Sequence, residues 1–371
     1  MTAVIAGAAM RTCFGSGDET FAALLRGECG VTPLRHGDPA RLNVAAGYHV
    51  GTDDPHRPFR AGQWLSECVR EALDQAGVEP GRQRVVALVG TGLRELSAVE
   101  AMALGGPAVP AYRLHFGAAV RTAAPAVGGV VTLANACSAS GHALALAQDL
   151  VELGEADAVV VGGADAMTQS MLAMIGRVVD DPTDRVRPFD RDRRGVLLGE
   201  GAAAVVVVPA DRPGLARLVA TGLSCDAFHE TAPSREGIVR AMRDAYDRAG
   251  RDPAEADLVV AHGTGTPLND ACECEALREV VLDAGGRPAV TAVKGALGHM
   301  SGTAALVNLD VAMRCLAGGD VPPVVGLREP LAEGDGLDLV RDRPVRHPAR
   351  LAQVNAFGFG GVNAVTLVEP R

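Results

Sequence analysis

The sequence predicts an α/β protein made of two related halves, with helices covering both faces of buried strands. Three observations point there. Near-continuous apolar runs such as Val85-Val86-Ala87-Leu88-Val89, Ala158-Val159-Val160-Val161 and Ala204-Val205-Val206-Val207-Val208 alternate with helix-forming segments, and a strand without polar alternation is covered on both faces. A stretch of the first half recurs in the second. Glycine-rich motifs carrying reactive side chains follow the ends of buried strands, where α/β proteins place their sites.

In chain order, MTAVIAGAAMRTC is apolar without a basic n-region and reads as a first strand rather than a signal peptide. The stretches 47–60 and 180–195, rich in Pro, Asp and Gly, read as loops. Residues 67–92 repeat as 237–265. Ala76-Gly77, Pro80 and Gly90-Thr91-Gly92 map onto Ala249-Gly250, Pro253 and Gly263-Thr264-Gly265 by one shift of 173 residues. In both copies an amphipathic helix ends at Gly, and a buried strand runs into Gly-Thr-Gly. Gly129–Leu133 reads as a short buried strand and Ala143–Leu150 as helix, so Cys137 sits at a strand-to-helix turn. A helix N-terminus there favours the thiolate and lowers the thiol pKa. Ser140-Gly141 opens that helix, and Ser301-Gly302 opens another, TAALVNLDVAMRCL. The halves divide as 1–210 and 211–371.

The 371 residues carry a net charge of −10 with no basic block, which excludes a nucleic-acid footprint. The eight cysteines form no CxxC pair and no zinc spacing. Scattered in this way they point to a reducing compartment. No run approaches the roughly 18 apolar residues of a membrane span, and the expectation is a soluble, cytoplasmic protein. Basic charge is arginine throughout except at Lys294, the single lysine. Position 294 therefore accepts an ammonium where a guanidinium is the habit of the chain.

Three motifs join Cys137: AHGTGTPLND with His262, VKGALGHMSG with Lys294 and His299, and VNAFGFGGVN with Phe359. Taken singly, each also reads as packing, a satisfied histidine or a turn. Together they support one chemistry. A nucleophilic cysteine takes an acyl group from a thioester, and two imidazoles stabilise the enolate left when a malonyl thioester loses carbon dioxide.

In that order, NACSASG, RPFDRDRRGVLLGEGA, HGTGTPLNDACE, KGALGH and NAFGFGGVNA resemble the β-ketoacyl synthases of fatty acid and polyketide assembly, members of the thiolase-fold superfamily. The opening VIAGAAMRTCFGSGDETFAALLRGECGVTPL is similar to their N-terminal strand, helix and turn. The resemblance spans the whole chain and implies a layered αβαβα fold of two duplicated halves. It implies that Cys137 is the acyl-accepting nucleophile, that His262 and His299 serve decarboxylation and condensation, and that Lys294 is the active-site lysine. Thr264 and Thr266 match threonines that hold the pantetheine arm. Phe359 matches a gating residue whose backbone N–H, with that of Cys137, forms an oxyanion hole. Asp270 and Glu273 match a structural acidic pair, and Glu200 reads as a buried hydrogen-bonding group. His115 and His142 read equally as pocket-lining or as structural.

The resemblance implies no metal and no cofactor: substrates arrive on the phosphopantetheine of an acyl carrier protein or on coenzyme A. The expected partners are that carrier protein and a second subunit, in a homodimer or a heterodimer with a homologous ketosynthase-like chain. The sequence departs from the family at positions that bear on Lys294. Asn308 and Ser301 stand where relatives place a glutamate facing the lysine, and Asp310 falls on another helical face. Thr303-Ala304-Ala305 and Val362 are further departures, and the stretch from Gly92 to Cys137 is short. Three functions follow: decarboxylative condensation in fatty acid or polyketide-type synthesis, with a specialised metabolite as the expected product; acyl transfer through the same site without carbon–carbon bond formation; or a non-catalytic partner subunit, against which the intact Cys137 argues.

Overall fold

The fold is described from a computed structural model of residues 3–35, 37–51, 54–55, 57–177 and 182–371. Met1 and Thr2, and positions 52–53, 56 and 180–181 of the two expected loops, lie outside the described residues.

The first half contributes strands β1 (Ala3–Thr12), β2 (Val85–Gly90), β3 (Gly129–Leu133), β4 (Ala158–Asp165) and β5 (Gly201–Pro209). The second contributes β6 (Ala216–Cys225), β7 (Leu258–Val260), β8 (Ala289–Thr291), β9 (Asp338–Leu339), β10 (Ala352–Gly358) and β11 (Val362–Pro370). All belong to one sheet in the order β9-β8-β7-β10-β11-β6-β1-β5-β4-β2-β3, with Gly15–Ser16 paired to the end of β1. Read outward from its centre, each half repeats the same order: β1-β5-β4-β2-β3 against β6-β11-β10-β7-β8. The halves meet where Ala3, Val4 and Ile5 of β1 pair antiparallel with Leu218, Arg217 and Ala216 of β6.

The helices form the remaining layers. In the first half α1 (Arg60–Ala76) and α2 (Gly117–Ala123) lie on the outer face, and α3 (Ala139–Glu152) lies inside. In the second half α4 (Arg235–Ala249) and α5 (Pro267–Leu277) lie outside and α6 (Ala304–Gly318) inside. Both inner helices touch strands of both halves, so they form a shared central layer between two sheet faces. This division explains the unbroken apolar strands. Val159 and Val161 of β4 and Val205 and Val207 of β5 face the central core, whereas Val160, Val206 and Val208 face α1. Each such valine, fully buried, contributes about 1.5–3 kcal/mol relative to exposure.

The repeat seen in sequence is a repeat in space. α1 and α4 end at Gly77 and Gly250, left-handed at φ 60° and 62°, a conformation glycine adopts without a Cβ clash. One correspondence shifts. A short 3₁₀ turn, Ala136–Ser138, precedes α3, and a matching turn, Ser301–Thr303, precedes α6. The first residue of each has positive φ, 61° at Ala136 and 47° at Ser301. Ser301-Gly302 therefore corresponds to Ala136-Cys137, four residues before the Ser140-Gly141 pairing expected from sequence. Gly302 takes the place of the cysteine in the second half.

Candidate active site

Three segments deliver the four reactive side chains to the boundary between the halves. Cys137 sits in the turn between β3 and α3, partly buried. His262 follows β7, and Lys294 and His299 lie in the segment after β8. The structure brings all four together: His299 Nε2 lies 3.0 Å from Cys137 Sγ, the His262 and His299 rings meet edge to face with centroids 5.4 Å apart, and Lys294 Nζ lies 3.4 Å from His262 Nδ1. Lys294 Nζ also donates to the His262 carbonyl oxygen. An ammonium only donates, so Nδ1 of His262 accepts and its proton resides on Nε2.

Burial sets the charges. Lys294 is 1% exposed, and loss of water pulls its ammonium down to about 8 against the favourable charges of Glu273, Cys137 and Asp270. The same burial, reinforced by the Lys294 charge, holds His262 and His299 well below the usual imidazole range, so both are neutral at pH 7. Cys137 departs from the expectation of a lowered thiol. Burial pushes it up to about 11, and the Lys294 charge and the backbone N–H groups of Phe359 and Cys137 reduce that rise without reversing it. The resting group is a thiol, and the imidazole of His299 lies in contact with it.

A buried polar frame fixes these groups. The Glu273 carboxylate accepts from the backbone N–H of His262 at 2.7 Å and of Gly263 at 2.8 Å, and from Asn355 Nδ2 at 2.9 Å. Asp270 accepts from the N–H groups of Phe189, Thr264 and Gly265. The acidic pair is thus a backbone clamp. Thr264 and Thr266 hydrogen-bond each other at 2.9 Å, and Thr266 caps α5 by accepting from Asn269 N–H. Phe359 is 44% exposed at the rim. Glu200 accepts both guanidinium arms of buried Arg60 and the N–H of Met167. His142 Nδ1 lies 3.1 Å from the Ser138 carbonyl on α3, whereas His115 lines a separate cavity in the outer layer.

Two groups escaped the sequence reading. Asp165 ends β4 fully buried and accepts from Thr91 Oγ1, from the N–H groups of Gly92 and Leu93, and from Thr303 N and Oγ1. It ties the loop after β2 to the turn before α6, joining the halves beside Cys137. The signal was there: a carboxylate closing an apolar strand has to find partners. Tyr48, also fully buried, accepts from Val186 N–H and donates to the Gly295 carbonyl, bracing the Lys294 segment.

Asn308 answers the question of the missing glutamate. Its Nδ2 donates to the carbonyls of Ala261 at 3.1 Å and Asn355 at 3.2 Å, tying β7 to β10. Asp310 pairs with Arg314 at 2.6 Å instead of turning to the lysine. A void of about 10 Å³ is bounded by Lys294, Asn308 and Val307 among others. No carboxylate forms an ion pair with Lys294 among the described residues. Because the chain has one lysine, isotope-labelled lysine yields a single Nζ resonance, and its titration midpoint is expected near 8. Asn308→Glu is expected to raise that midpoint by about one unit or more, since a facing carboxylate favours the ammonium. A native midpoint above 10 contradicts this account.

Layered halves enclosing a thiol, two neutral imidazoles and a buried ammonium define a thiolase-like ketosynthase. Residues 2–212 match the profile of the β-ketoacyl synthase N-terminal domain and residues 215–328 that of its C-terminal domain. The chain belongs to the β-ketoacyl synthase family. It is 33% identical to Nodulation protein E of Rhizobium meliloti, over 80% of this chain and 79% of that protein. It is 31% identical to 3-oxoacyl-[acyl-carrier-protein] synthase 2 of Mycobacterium tuberculosis (strain CDC 1551 / Oshkosh), over 97% and 95% of the two chains. Among solved structures it is similar to the ishigamide ketosynthase/chain length factor, with a TM-score of 0.89, 31% identity, and coverage of 100% of this chain and 99% of that one.

Proposed function

We propose that this protein catalyses decarboxylative Claisen condensation in fatty acid or polyketide synthesis, with Cys137 as acyl acceptor. The observation that carries the reading is the 3.0 Å contact between His299 Nε2 and the Cys137 sulfur, beside a second neutral imidazole whose Nε2–H is free to donate. His299 takes the thiol proton as sulfur attacks the acyl thioester, and returns it to the departing thiolate. A malonyl thioester then enters, with Thr264 and Thr266 placed along its pantetheine arm. Its carboxylate leaves as carbon dioxide, and the electron pair flows to the thioester oxygen, where the Nε2–H of His262 stabilises the enolate. The enolate carbon attacks the acyl carbonyl on Cys137, whose developing oxyanion faces the N–H groups of Cys137 and Phe359. Collapse releases the cysteine thiolate, which recovers a proton from water.

The substrates supply the phosphopantetheine, and no metal or further cofactor enters these steps. We infer an acyl carrier protein as donor and a cytoplasmic setting; no helix among the described residues is long and apolar enough to cross a membrane. We also infer a two-subunit assembly. β3 is the end strand of the sheet, with Val131 52% exposed on it, and an unpaired apolar edge invites another strand. The experiment is product analysis with an acyl carrier thioester and malonyl carrier protein. A β-ketoacyl product with release of carbon dioxide is the expected result. Acyl transfer with the malonyl carboxylate retained identifies an acyltransferase instead.

A further inference from the structure

The outer layer of the first half holds a second cavity of about 430 Å³, walled by α1, α2 and the segment before α2 and lined by none of the four reactive residues. Two of its lining residues, Glu95 and Ser66, each carry a buried polar atom without a partner. Glu95 is 2% exposed; its Oε1 accepts from Gly62 N–H at 2.7 Å, while its Oε2 makes no hydrogen bond. Ser66, 7% exposed, has an equally unpartnered Oγ. Phe59 and the largely buried Phe116 are also among its lining residues. The Arg113 guanidinium lies 4.0 Å over the Phe59 ring, and Arg70 stands on the exposed side. Arg113 acts on the charge of Glu95, yet the two form no ion pair. Glu95 and Arg113 are thus near enough to feel each other and too far apart to touch.

A buried carboxylate oxygen and a buried hydroxyl left open are costly unless a ligand supplies donors. An ammonium offers three donors and no acceptor, which suits that pair. A guanidinium across a short gap suits a carboxylate, which it takes with two parallel hydrogen bonds. The volume lies in the range of small-molecule pockets, about 300–1,000 Å³. We propose that this cavity binds a free α-amino acid with an apolar side chain: ammonium on Glu95 Oε2 and Ser66 Oγ, carboxylate on Arg113, side chain between Phe59 and Phe116. Burial pushes the Glu95 carboxyl up to about 7. An ammonium ligand needs it ionised, which the Arg113 charge favours and the Asp165 charge opposes, so binding strengthens as pH rises through 7 and falls again where the ligand's own ammonium loses its proton.

The test is calorimetric titration of the full chain with L-phenylalanine and L-leucine, and with N-acetyl-L-phenylalanine and L-phenylalaninamide as probes lacking one charge each. Saturable one-site binding of at least one free amino acid is expected, weakened about tenfold or more in each blocked probe, the loss of one charge-assisted contact. Glu95→Gln and Arg113→Ala are each expected to weaken it to a similar degree, and Cys137→Ala to leave it unchanged. Thermal unfolding of the variants separates loss of the site from loss of the fold. No saturable binding of either amino acid overturns the proposal, as does equal affinity for the blocked probes. Competition between the amino acid and acylation of Cys137 overturns it too, because it places the ligand in the active site.

Discussion

His262→Ala is expected to leave acylation of Cys137 close to its native rate while lowering condensation by about 100- to 1,000-fold, the effect of removing one preorganised donor to a developing oxyanion. The division of labour follows from distances. His299 touches the thiol at 3.0 Å. His262 contacts instead Lys294 and the His299 ring, and its backbone is clamped by Glu273. His299→Ala is expected to fail one step earlier. The thiol, raised to about 11, is almost wholly protonated at pH 7 and loses its base. Single-turnover assays read the two steps separately, with acyl transfer followed by mass and condensation by release of carbon dioxide. Equal loss of both steps in both variants contradicts the assignment.

Gly90→Ala is expected to be among the most damaging changes outside the reacting groups. A Cβ at Gly90 would lie 2.3 Å from Ser140 N and 2.5 Å from the Ala139 carbonyl carbon. Here the end of β2 rests directly on the first turn of α3, the helix that follows Cys137. Neither side is a flexible side chain, so relief requires moving a helix or a strand. Overpacking in a tight core costs typically 1–3 kcal/mol and occasionally more, and backbone against backbone belongs at the upper end. The displacement also carries Cys137 away from His299. Gly154→Ala, at φ 70° with nothing within contact distance, serves as control, with an expected cost of about 1 kcal/mol from backbone strain alone. Denaturant unfolding of both variants, with acylation rates, checks the contrast.

The apolar strands and the helices that the sequence marks, and the duplication, were legible because they rest on local signals. A strand covered on both faces shows as an unbroken apolar run, and a helix ending in left-handed glycine shows as Ala-Gly before Pro. Cys137, His262, Lys294 and His299 were legible for a related reason: each stands in a motif of small residues at a strand end. The sign of the Cys137 shift was not. It depends on how much water the folded site excludes, against which the helix end and the Lys294 charge are weaker. Asp165 and Tyr48 were missed because their partners lie far off in sequence; Asp165 reaches Thr91 and Thr303, and Tyr48 reaches Gly295. The Ser301 turn was matched four residues off because positive φ at Ala136 and Ser301 leaves no mark in residue type. The departure at Asn308 was visible, but its use as a tie between Ala261 and Asn355 required the packed strands.

The most direct test of the central claim is the intact mass of the protein after incubation with acyl carrier-protein and coenzyme A thioesters, with Cys137→Ala alongside. The account predicts a mass gain of one acyl group on the native chain, mapped to Cys137 and absent from the variant. An adduct that persists in Cys137→Ala, or no adduct with any donor, contradicts it and moves the chain towards a partner subunit that leaves the chemistry to a homologue.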